Sequence, residues 1–83
     1  MKFKAEIDVM PLDALLDPQG KAVRIGLQNL NITQVSDVRI GKHITLQLEA
    51  ASEAVAHEIV TEACKKLLAN LIMEEFEFTL TAV

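Results

Sequence analysis

Residues 2–9 read Lys2-Phe3-Lys4-Ala5-Glu6-Ile7-Asp8-Val9, and this stretch decides the fold. Apolar and charged side chains alternate without a break. Phe3, Ala5, Ile7 and Val9 fall on one side, and Lys2, Lys4, Glu6 and Asp8 fall on the other. Successive side chains of a strand point to opposite faces, so this period predicts a strand buried on one face only. Pro11 lacks a backbone donor and predicts the end of the ladder.

Leu12 to Leu16 reads as a connector. Asp17 followed by Pro18 has the chemistry of a helix N-cap and first helical residue. Val23, Leu27 and Leu30 then recur at i, i+4 and i+7, which predicts a helix over about residues 18–30. Gly26 inside it costs about 1 kcal/mol relative to Ala, which predicts a close packing contact there. Ile25 falls nearly opposite the stripe and reads as a lone exposed apolar residue.

Val35 to Ile40 predicts a second strand with Val38 and Ile40 inward. Gly41-Lys42 suits a two-residue type II′ hairpin turn. A third strand follows, with Ile44, Leu46 and Leu48 on one face and His43, Thr45, Gln47 and Glu49 on the other. Ser52 caps a second helix over about residues 53–69, whose apolar residues spread over about 220°, against the ~100° that a helix on one sheet needs. Ala56, Val60, Cys64 and Leu68 on this arc are the candidate interface with another copy of the chain. Asn70 suits a left-handed helix terminus. Phe76, Phe78 and Leu80 alternate with Glu75, Glu77, Thr79 and Thr81 in a last strand. The order β-α-β-β-α-β predicts a single α+β domain over residues 1–83. It would be a ferredoxin-like two-layer sandwich, with a four-stranded antiparallel sheet, two helices on one face and an oligomeric assembly.

The chain has 83 residues, 51% of them apolar, with no Trp or Tyr and three Phe. The apolar mass is aliphatic: 11 Leu, 7 Ile, 7 Val and 10 Ala. So large a surplus on so small a domain points to burial against another chain. A net charge of −4 argues against the clustered basic footprint that nucleic acid requires. One Cys excludes a disulfide framework and most cysteine-based zinc sites. MKFKAEIDV lacks the apolar core of a signal peptide, and no apolar run approaches the ~20 residues of a membrane span. A cytoplasmic protein without a membrane partner is expected.

No catalytic constellation stands out. Cys64 lies on the apolar arc of the second helix, and His57, seven residues earlier, is about 10 Å away along the axis, too far to activate the thiol. His43 and His57 lie on different elements without ligand spacing. Glu75 and Glu77 read as a solvated strand face, with Glu74 pointing away. Catalytic, cofactor-binding and metal-binding residues are therefore expected to be absent. Two polar turns remain. Asp17-Pro18-Gln19-Gly20 reads as a cap and turn, or as a helix N-terminus able to hold an anion. Val38-Arg39-Ile40-Gly41-Lys42 reads as a turn with surface charges, or as a basic tip that docks on an acidic partner.

Three stretches in order, LDPQGKAV (Leu16 to Val23), DVRIGK (Asp37 to Lys42) and KKLLAN (Lys65 to Asn70), resemble the PurS family, small subunits of phosphoribosylformylglycinamidine synthase. The resemblance covers nearly the whole chain. It implies a noncatalytic subunit in the fourth step of purine synthesis, where formylglycinamide ribonucleotide (FGAR), glutamine and ATP give formylglycinamidine ribonucleotide (FGAM). A synthetase subunit, PurL, would bind ATP, magnesium and substrate. A glutaminase subunit, PurQ, would release ammonia. This chain would join them as a dimer or tetramer and help enclose the ammonia path. Asp17, Gln19, Gly20, Arg39, Gly41, Lys42 and Asn70 carry over from the motifs as candidate partner-contact or loop-shaping residues. A competing expectation is a small-molecule regulatory module similar to ACT domains, which share the element order. An RNA-recognition domain would need exposed aromatics on its middle strands, and none of the three Phe is exposed there, Phe3 falling on the apolar side of its strand.

Overall fold

In the computed structural model, which describes all of residues 1–83, the opening strand is the centre of the molecule. β1 (Lys2–Pro11) pairs antiparallel on one side with β2 (Lys42–Glu49) and on the other with β3 (Glu74–Ala82), in the order β2-β1-β3. The register stacks the apolar residues in ranks across the sheet. Ala5 lies between Leu46 and Leu80, and Ile7 between Ile44 and Phe78. Phe3, Ala5, Ile7 and Val9 are buried, as their alternation requires. The opposite face is polar and open. Asp8 there lies between His43 and Glu77, and its Oδ1 is 2.7 Å from His43 Nδ1.

α2 (Glu53–Ala63) lies over the apolar face. Ser52 Oγ accepts from the Val55 amide and satisfies one free N–H of its first turn. Ala56, Val60 and Cys64 are fully buried in the core with Ala5, Ile7 and Val9. α2 continues into a π-helical turn, Cys64–Leu68, closed by the Ala69 amide donating to the Cys64 carbonyl at 3.0 Å. That wider turn brings both Cys64 and Ala69, five residues apart, onto the sheet. Ala56, Val60 and Cys64 are thus covered by the chain's own sheet, which corrects their expected place in an oligomer interface. Leu68 remains half-buried.

α1 (Pro18–Asn29) makes no sustained contact with the sheet, and Gly20 is its only buried residue. Its stripe is open to solvent, with Val23 42% and Leu30 70% exposed. A β-carbon on Gly26 would meet nothing within 4 Å, so the expected close contact is absent from this chain. α1 ends in a Schellman turn. Asn31, at φ 64°, lets the Asn31 amide donate to Gln28 and the Ile32 amide donate to Leu27. Asn31, rather than Asn70, is therefore the left-handed terminator.

Two further expectations are corrected. The sheet has three strands instead of four, because residues 35–40 form no strand. Gly41-Lys42 is no hairpin turn. Lys42 already pairs with Val9, and no glycine has the positive φ that a type II′ turn needs. With one strand missing and one helix off the sheet, the ferredoxin-like plan is incomplete. The molecule measures 52 × 27 × 14 Å, with a radius of gyration of 16.4 Å. A compact chain of this length would have about 12 Å.

Candidate partner-contact site

The three motifs meet at one end of the sheet, where β1 finishes and β2 and β3 begin. Asp17 joins the first two. Its Oδ1 accepts from the Gly20 amide at 3.0 Å, as an N-cap does, and its Oδ2 accepts from the Ile40 amide at 2.9 Å. These backbone donors, Gly20 first and then Ile40, hold the Asp17 carboxyl below the usual carboxylate range. Gly20 packs so closely on residue 38 that a β-carbon would overlap the Val38 carbonyl oxygen. The Ile40 amide is thus taken by the Asp17 carboxylate and Val38 lies against the α1 start, while residues 35–40 form no strand.

Arg39 fastens the same segment to the connector after β1. One guanidinium nitrogen donates to the Pro11 carbonyl. The other donates to the Asp13 carbonyl at 3.4 Å and lies 3.5 Å from the Asp13 carboxylate. The side chain is largely covered, and Nε is buried without a partner. Gly41 lies against β1, where a β-carbon would overlap the Met10 sulfur and the Val9 carbonyl oxygen. Lys42 Nζ donates to the Leu68 carbonyl at 3.2 Å and ties β2 to the end of the π-helical turn.

Asn70 organises the turn into β3. Its Oδ1 accepts from the Ile72 amide at 3.2 Å, and its own amide donates to Glu74 Oε1 at 2.9 Å. Its carbonyl accepts from the Met73 and Glu74 amides. A cleft of about 340 Å³ brings Asn70 and Met73 to the same surface as Leu16, Asp17, Pro18 and Gln19. A second cleft, about 390 Å³, lies on the other side of Asp17, with Gly20, Arg24 and Arg39 on its wall.

Of the seven carried-over residues, Asp17, Gly20, Arg39 and Gly41 have their polar atoms or close-packed backbone engaged within the chain and shape the loops. Lys42 and Asn70 also bond within the chain and, with Gln19 and Gly41, are exposed. Sequence reasoning missed Leu15 and Leu16, read as a plain connector. Both line the two clefts, and Leu16 is 78% exposed. The adjacent apolar pair in a segment without periodicity was the available signal.

Cys64 lies in the core, where burial pushes its thiol up, away from the thiolate. No helix of the chain is long and apolar enough to cross a membrane.

Comparison with known proteins agrees with this geometry. The family model described as PurS, phosphoribosylformylglycinamidine (FGAM) synthase, matches residues 4–82. The PurS subunit of FGAM synthase from Synechocystis sp. is 49% identical over 81 residues, which cover 98% of this chain and 81% of the relative. The PurS subunit from Bacillus subtilis is 37% identical over 81 residues, 98% of this chain and 95% of the relative. A B. subtilis PurS crystal structure superposes with a TM-score of 0.87 at 37% identity, covering 95% of this chain and 98% of the other. A chain in the structure of PurLQS from Thermotoga maritima superposes with a TM-score of 0.89 at 36% identity, covering 98% of this chain and 99% of the other. The three-stranded, two-helix α+β chain described above thus belongs to the PurS family of phosphoribosylformylglycinamidine synthase.

Proposed function

We propose that this chain is a noncatalytic assembly subunit of FGAM synthase in de novo purine biosynthesis. The enzyme converts FGAR, glutamine, ATP and water to FGAM, glutamate, ADP and phosphate. The chain bridges the synthetase subunit, PurL, and the glutaminase subunit, PurQ, and supports ammonia transfer between them. ATP and magnesium belong to the synthetase, and the complex works in the cytoplasm. The observation that carries this reading is the near full-length match to a chain of the T. maritima PurLQS structure. The exposed Leu16, Gln19, Lys42 and Asn70, set at one end by a tightly braced loop, supply a contact surface for a catalytic subunit.

The chain acts as a homo-oligomer, a dimer or tetramer. Its extended shape and open apolar stripe support this, since an isolated domain would leave them wet. The ACT-like alternative shares a four-stranded order, and the sheet here has three strands.

The test is co-migration. Purified PurL, PurQ and this chain are run together on a sizing column with ATP, magnesium and glutamine. The expected result is one complex containing all three, which does not form when this chain is omitted. A PurL–PurQ complex of equal yield without it contradicts the bridging role.

A further inference from the structure

We propose that the cleft between the start of α1 and residues 36–39 binds a small monocarboxylate with an aliphatic body, its carboxylate held by Arg24 and Arg39. The site goes beyond the assembly reading above and does not depend on it.

Two guanidinium groups line this cleft with unused donors. Arg39 donates from its two terminal nitrogens to the Pro11 and Asp13 carbonyls, which leaves Nε buried and without a partner. Arg24 is half-buried, although residues 21–23 and 25 of the same helix are exposed. It joins none of the chain's four ion pairs. Neither Arg24 nor Ser36, also on the cleft wall, makes a side-chain hydrogen bond. Buried donors in folded proteins are nearly always satisfied, so two under-used guanidiniums in one cleft call for an acceptor. A carboxylate matches the fork of a guanidinium and accepts two of its N–H groups at once.

The charge of the cleft selects a single carboxylate. Lys21, Arg24 and Arg39 line it together with Asp13, Asp17 and Asp37. The Asp17 carboxylate is committed to the Gly20 and Ile40 amides. Asp13 lies 3.5 Å from Arg39, and its side chain is 96% exposed. Lys21 and Arg24 then stand against Asp37 alone, a surplus of one positive charge. One carboxylate balances that surplus, and a phosphate dianion exceeds it. Lys21 and Arg24 are three residues apart and so lie on neighbouring positions of the α1 surface.

The rest of the wall suits an aliphatic body. Leu15 and Leu16 line the cleft and are 40% and 78% exposed. An apolar group behind the carboxylate removes them from water. The cleft holds about 390 Å³, within the ~300–1,000 Å³ of small-molecule sites. A ligand seated there bridges Arg24 on α1 and Arg39 before β2, the two parts of the chain that Asp17 already joins.

The experiment follows the arginine Nε–Hε resonances of the full, nitrogen-15-labelled chain at mildly acidic pH and fixed ionic strength. Arg24 and Arg39 are its only arginines, so both signals are assigned by one substitution. The probes are 4-methylpentanoate, its neutral amide, acetate and inorganic phosphate. The expected result is a saturable shift of both resonances by 4-methylpentanoate, about tenfold tighter than by the amide, since hydrogen bonds to a charged group are lost. Acetate and phosphate are expected to bind more weakly. Arg24→Gln is expected to weaken 4-methylpentanoate about tenfold with far-UV circular dichroism unchanged. Leu16→Ala is expected to bring 4-methylpentanoate down to the level of acetate. No saturable shift in wild type, an amide that binds as tightly as the acid, or a folded Arg24→Gln chain with wild-type affinity overturns the site. Phosphate binding tighter than 4-methylpentanoate, or a Leu16→Ala chain with wild-type affinity, overturns its assignment to an aliphatic monocarboxylate.

Discussion

The Asp17 carboxylate is hydrogen-bonded to the Ile40 amide, 23 residues further along the chain, at 2.9 Å. One side chain thereby starts α1 and holds the segment that enters β2. Residues 35–40 beside it form no strand, and α1 makes no sustained contact with the sheet. The surface beside it carries Leu16 and Gln19 outward.

Asp17→Asn removes the charge and leaves one acceptor oxygen for two backbone donors. A lower melting temperature at pH 7 is expected. The Asp17 carboxyl lies below its ordinary value in the folded chain, so its stabilisation is fully present above the unfolded value of about 4 and is lost as pH falls through the folded value. The difference between wild type and variant should therefore shrink below about pH 4. Thermal melts from pH 7 to pH 2.5 test this, and a difference that is constant over the range contradicts it.

Gly20→Ala and Gly41→Ala place a β-carbon against backbone, at the Val38 carbonyl and the Val9 carbonyl respectively. Overpacking of this kind costs about 1–3 kcal/mol. Urea unfolding should show both losses. Gly20→Ala should also weaken co-migration with PurL and PurQ, since it displaces the loop that presents Gln19.

Ile7→Ala removes a fully buried side chain from the central rank of the sheet. The expected loss is about 2–5 kcal/mol. Thr45→Ala, on the exposed face of β2, should stay within about 0.5 kcal/mol of wild type. Equal losses at the two positions would contradict the assignment of faces.

Cys64 should react with a thiol reagent orders of magnitude more slowly in the folded chain than in urea. It is fully buried, and burial raises its pKa. Rapid modification of the folded chain would show that the core opens.

The elements governed by short-range patterns were legible in the sequence. Strict alternation from Phe3 to Val9 placed the central strand, and Asp17-Pro18 and Ser52 placed the helix starts. The segment from Val35 to Ile40 misled, because its apolar alternation fits a strand as well as a loop. What decides it is the pairing of Ile40 with Asp17, a long-range contact that no local period records. The wide arc of the second helix was read as an interface, yet Ala56, Val60 and Cys64 belong to the core. The π-helical turn adds Ala69 to the covered side, and the open apolar side chains are spread over the connector before α1 (Leu16), α1 (Val23), α2 (Ile59), the π-helical turn (Leu67) and the turn into β3 (Ile72). Asn70 was read as a terminator from residue type alone, while its side chain instead closes the turn into β3.

Reconstitution tests the central claim most directly. PurL and PurQ are assayed for glutamine-dependent formation of FGAM, with and without this chain. In parallel, PurL alone is assayed with ammonia. The account predicts that glutamine-dependent activity requires this chain, while ammonia-dependent activity depends on it much less. Equal glutamine-dependent rates with and without the chain would contradict its role as the subunit that joins the two catalytic partners.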